Sequence, residues 1–139
     1  MDEREVIVTD AHVWLGVYSS ELTVDQLIET AGFEPTSTGV QGSQRTSRSM
    51  PLPHNCVFLH TEKLTASKDL NDHIDLLRNL LPAGNFSERF DPDVVSFRCT
   101  VYWWTTATLP FELTPSSLKT FSDIGVPVCF HVVVYPPED

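Results

Sequence analysis

Three of the five histidines, His12, His60 and His131, lie with Cys56 and Cys129 in segments that read as strands. Imidazole and thiolate are the donors that zinc selects, so these residue types could in principle hold a metal. They are spread over separate strands with no local ligand pair, and the three cysteines, Cys56, Cys99 and Cys129, form no C-x-x-C. No metal and no cofactor is expected. His73, in "DLNDHIDLL", sits one helical turn from Leu70 and Leu77 and reads as a packed, hydrogen-bonded histidine rather than a base. Asp91 and Asp93 flank Pro92 in a turn, a poor platform for paired carboxylates. "GVQGSQRTSR" carries Gly39, Gly42, Arg45 and Arg48 but lacks the Gly-Lys-[Ser/Thr] ending of a phosphate loop. Neither a Gly-x-Ser-x-Gly elbow nor a His-Glu-x-x-His helix occurs. No catalytic residue emerges, and the reading leans away from an enzyme.

Binding chemistry is better supported. In "TVYWWT" the adjacent Trp103 and Trp104 must point to opposite faces of a strand, so one of them faces away from the core. The inward set on that strand is Val95, Phe97, Cys99, Val101 and Trp103, which leaves Trp104 outside. The same parity puts Trp14, Tyr18, Phe58, Arg98, Tyr102 and Tyr135 on the outer face with His12, His60 and His131. Trp14, Tyr18, Phe58, Arg98, Tyr102 and Trp104 are the expected binding residues. An aromatic patch of that size calls for something to cover it.

The elements that position these residues are legible from periodicity. Strands are predicted over 10–18, 55–61, 94–105 and 127–135, each alternating apolar and polar positions. Helices are predicted in "ELTVDQLIETAG", "KDLNDHIDLLRNLLP" and "LTPSSLKTFSDIG", with Thr23, Asp69 and Thr114 as N-caps. Gly32, Pro82 and Gly125 end them. Residues 34–53 lack periodicity and read as a long flexible loop, covering or binding in function. Glu21-Leu22-Thr23 is echoed by Glu112-Leu113-Thr114, each opening a helix between two strands. Two such units suggest an α+β, ferredoxin-like split βαβ sandwich. The expected sheet is four-stranded and mainly antiparallel, with helices on one face and an extra helix between the second and third strands. A single domain spans 1–139, its core about 8–135.

Charge narrows the partners. Nine Lys and Arg against nineteen Asp and Glu give −10 at pH 7. Such a field repels phosphate backbones, so nucleic acid is not expected, and it attracts basic proteins. No apolar run approaches a membrane span, and "MDEREVIVTD" lacks the features of a secretory leader. A cytoplasmic protein with reduced thiols is expected.

The succession "ELTVDQLIETAGFEPT", "GVQGSQR", "NCVFLHTE", "DLNDHIDLLRNLL" and "FELTPSSLKTFSDIGVPV" resembles the bacterial domain of unknown function 4279 family over about residues 8–135. Leu27, Gly32, Pro35, Gly42 and His73 carry the resemblance, with the closing helix–Gly–strand unit. The chain departs from it at Phe58, where the family often has Trp. The resemblance implies an α+β fold in the bacterial cytosol and no known activity. The expected function is a non-enzymatic protein-binding domain whose partner is a basic protein or a second copy. An immunity-type inhibitor of a basic toxin is one version, by analogy. The alternative is a small-molecule-binding protein or enzyme using the aromatic and histidine face.

Overall fold

Each helix starts and stops where its capping chemistry predicts. The computed structural model describes residues 8–44, 46–105 and 112–134. Helix α1 (Val24–Ala31) opens on a capping box: the Thr23 Oγ1 accepts from the Gln26 N–H at 3.2 Å, and Gln26 Oε1 accepts from the Thr23 N–H at 2.9 Å. It closes on Gly32, whose φ of +72° suits the left-handed cap. Helix α2 (Leu70–Leu80) is capped by Asp69, which accepts from the Asn71 N–H, and ends just ahead of Pro82. Helix α3 (Pro115–Ile124) starts with Thr114 and Pro115 and ends on Gly125.

The strands are β1 (Val8–Ser19), β2 (Ser37–Gly39), β3 (Asn55–His60), β4 (Ser96–Thr105) and β5 (Val128–Val134). They form one mixed sheet in the order β2-β3-β1-β4-β5. The fold is therefore α+β, and the first and third predicted strands are central neighbours, as β1 and β4. Two features differ from the expected four-stranded ferredoxin-like sheet. The 34–53 segment contains β2, so the chain leaving α1 first enters the sheet edge and then doubles back into β3, antiparallel to β1. That reversal places β3 beside β1. The crossover through α3 returns β5 parallel to β4 and directly next to it. Three residues are too few to show a strand period, which is why β2 reads as loop.

One face of the sheet holds the core. Val13, Leu15, Val17, Val57, Cys99 and Val101 pack in one cluster with Leu27 and Ala31 of α1, Leu70, Ile74 and Leu77 of α2, and Ile124 of α3. Trp103 joins this cluster, so the inward member of the tryptophan pair is the one that parity selects. The prediction fails at the edge. Phe130, Val132 and Val134, expected inside, are 49%, 46% and 44% exposed. Helices α1 and α2 pack on β3 and β1, and α3 packs on α2, so the helical layer stops short of β5. The open face is a grid of cross-strand rows. His131, Tyr102 and His12 form one row, Phe58, Gly16 and Arg98 another, and Trp104 lies opposite Asp10. Tyr135 of the expected patch and Arg45 of the loop lie outside the described residues. No helix among the described residues is long and apolar enough to cross a membrane.

Candidate functional site

Trp14 and Tyr18 come from β1, Phe58 and His60 from β3, and antiparallel pairing sets Trp14 opposite His60 and Gly16 opposite Phe58. Phe58 is the hub. Its ring meets Trp14 at 5.8 Å and Tyr18 at 5.7 Å, both edge to face, and His60 at 5.5 Å. Edge-to-face contact aligns the positive rim of one ring with the negative face of the next, which favours this arrangement over a flat sandwich.

Gly16 makes the arrangement possible. A Cβ there would lie 2.6 Å from Tyr18 Oη and 2.9 Å from Trp14 Cζ3, so the two rings close over the bare backbone between them. Replacing Gly16 with alanine is expected to push these rings apart and cost about 1–3 kcal/mol, the usual range for overpacking. Urea denaturation and near-UV circular dichroism check this. Identical spectra and midpoints would show that the rings accommodate the methyl freely.

The resulting groove has a volume of 610 Å³, floored by Trp14, Tyr18 and Phe58 and walled by Ser37, Thr38, His60, Glu62 and Lys63. None of the described residues between 40 and 53 lines it. That segment instead holds its own hairpin-like bonds, Gly42 N–H to Leu52 O and Leu52 N–H to Ser43 O, while Leu52 lies over Gly39 near Cys56. The loop covers one corner of the open face and leaves the aromatic groove accessible.

The six expected binding residues do not make one surface. Trp14, Tyr18 and Phe58 form the groove. Arg98 lines a neighbouring recess with Tyr18, His54, Ser96 and Phe97. Burial pushes the Tyr18 phenol upward in pKa, and the Arg98 charge partly offsets that rise. Tyr102 stacks on His12 at 4.6 Å and on His131 at 5.3 Å. Trp104 lies half-buried at the far corner, opposite Asp10 and Val133.

Two residues that sequence reasoning passed over join this face. Asp10 and Glu62 both approach His12: Nδ1 is 3.2 Å from the Asp10 carboxylate and 3.6 Å from Glu62 Oε2. The available signal was a matched pair of i,i+2 spacings, Asp10-x-His12 and His60-x-Glu62, on strands that pair antiparallel. Cys56, Cys99 and Cys129 form no disulfide, and Cys129 is exposed. His73 is fully packed, with Nδ1 2.7 Å from Thr61 Oγ1 and Nε2 2.7 Å from Ser67 O, so it is structural as predicted.

The geometry defines a single-sheet α+β domain that covers one face with helices and leaves an aromatic trough on the other. The family model of a domain of unknown function, DUF4279, matches residues 9–135, and the chain belongs to this family. No curated protein and no solved structure matches the chain.

Proposed function

We propose that this domain is a non-catalytic binding module that receives a protein partner on its open sheet face. The trough of Trp14, Tyr18 and Phe58 carries the reading. Aromatic side chains of this kind supply large contact area at little entropic cost and are the residue types that dominate binding hot spots. The volume falls within the range of small-molecule sites, about 300–1,000 Å³. An open trough on a sheet face suits a protruding segment of a partner better than an enclosed ligand. The net charge of −10 favours a basic partner by steering its approach. A toxin held inactive by such an inhibitor has the required chemistry. Three cysteines without a disulfide support a reducing, cytoplasmic setting.

The test is a binding assay against basic proteins encoded beside this one. Binding should weaken with added salt and fall about thirtyfold in Trp14→Ala, the loss of one hot spot of about 2 kcal/mol. Binding that ignores Trp14→Ala, or none at all, would remove the proposal.

A second reading has its own support at β5. Seven uncharged residues form an edge strand whose Phe130, Val132 and Val134 are exposed, without the Lys, Pro or bulge that usually protects an edge. In this reading the partner is a second copy joined along β5. Sedimentation velocity would then show a dimer that Val132→Lys converts to a folded monomer, whereas Trp104→Glu leaves it intact.

A further inference from the structure

Strand β1 and the turn after β3 bring three metal-ligating side chains together, with His60 beside them. Asp10 and His12 share one face of β1, and His60 and Glu62 span the exit of β3 into the 3₁₀ turn Thr61–Lys63. The ladder ends with Trp14 opposite His60, and the turn beyond it brings Glu62 within 3.6 Å of His12. The ladder between β1 and β4 slips between Val8 and Asp10, an irregularity beside Asp10 of the kind that re-aims side chains at sheet ends.

The distances suit a small cation. His12 Nδ1 lies 3.2 Å from Asp10 Oδ2 and 3.6 Å from Glu62 Oε2. One ligand atom from each of the three residues lies within 4.8 Å of the others. A tetrahedral ion with bonds of about 2.0–2.1 Å holds its ligands about 3.3 Å apart. Glu62, exposed on its turn, needs only a side-chain rotation to close the remaining gap. His60 adjoins the cluster, with Nδ1 4.0 Å from Glu62 Oε1.

Charge points the same way. His12 is 7% exposed, and its Nδ1 faces two carboxylates at once. A neutral imidazole offers one N–H at most to that pair. Among the described residues no Lys or Arg forms an ion pair with Asp10 or Glu62. Two carboxylate oxygens and a ring nitrogen converging on one point form a donor set that a cation can fill.

We propose that Asp10, His12 and Glu62 bind one divalent transition-metal ion of the zinc type, with His60 as the adjoining fourth group. The imidazole donors and the small number of carboxylates select against magnesium and calcium, which take six or more oxygens. The site shares His60 and Glu62 with the groove wall, and its test needs no groove ligand.

Calorimetric titration of the full chain with zinc chloride near neutral pH tests this, with magnesium as the control. Cobalt absorption spectra identify the ligands. One zinc ion per chain is expected, with affinity falling about tenfold or more in Glu62→Gln and in Asp10→Asn and unchanged in Cys129→Ser. Cobalt should give tetrahedral bands without thiolate charge transfer. Circular dichroism of the exposed Glu62→Gln variant guards against misfolding. No saturable binding, binding that survives Glu62→Gln, or loss in Cys129→Ser would overturn the site.

Discussion

Replacing His73 with alanine is expected to lower stability by about 4 kcal/mol, as judged by the urea midpoint. The imidazole is 1% exposed and joins three parts of the chain. Ser67 O can only accept, so Nε2 donates to it at 2.7 Å. Nδ1 hydrogen-bonds with the Thr61 hydroxyl, also at 2.7 Å. That hydroxyl accepts from the Val13 N–H and donates to the Val13 carbonyl, each at 2.9 Å. The ring thus ties α2 to β1 through the turn after β3. Alanine leaves a cavity and removes the partner of the buried Thr61 hydroxyl and of the partly buried Ser67 carbonyl, each loss worth about 1–3 kcal/mol. A domain of this size has only about 5–15 kcal/mol to lose. His73→Leu separates the two causes. It restores volume without hydrogen bonds and should recover about half of the loss. A leucine variant as stable as the wild type would show that the polar bridge contributes nothing.

The second large effect is alkaline. Burial raises the Cys99 pKa from 9.0 to about 12, with a smaller contribution from Cys129. The unfolded chain ionises this thiol near its ordinary value while the folded chain keeps it neutral. The unfolded state therefore holds fewer protons between the two pKa values, and stability falls as pH rises. The contribution is intact below about pH 9 and declines toward pH 12, by on the order of 4 kcal/mol. Tyr18 acts in the same direction, its pKa also being raised by burial. Cys99→Ala should flatten the slope of stability against pH above about 9, while lowering stability at neutral pH by about 1–2 kcal/mol through the small cavity. An unchanged alkaline slope in Cys99→Ala would mean that the thiol ionises without opening the core. Thiol labelling provides a second check: exposed Cys129 should react quickly and buried Cys99 only on unfolding.

Legibility followed the range of the interaction. Helix ends were readable because a cap is settled within four residues: Thr23 with Gln26, and Thr114 with Pro115 and Ser117. The inward and outward faces of the central strands were readable because alternation is a local property, and Trp103 and Trp104 sort as parity requires. The groove was legible only as a list of aromatic residues. Which of them touch depends on register, and register set Trp14 and Tyr18 around Phe58 while sending Tyr102 to His12 and His131. Asp10 and Glu62 were missed because 52 positions separate them and neither belongs to a familiar motif.

By itself, then, the sequence determined three capped helices, the four long strands, the faces of the two central strands, and an acidic chain with an aromatic surplus on one side of its sheet. The tertiary structure alone decided that Ser37–Gly39 joins the sheet, that β3 lies beside β1, and that β5 reaches past the helices with Phe130 exposed. It also decided that Asp10, His12 and Glu62 meet. Local backbone preference and side-chain period are written in neighbouring residues. Strand order and cross-strand contact depend on which buried surfaces fit together, and that is a property of the whole chain.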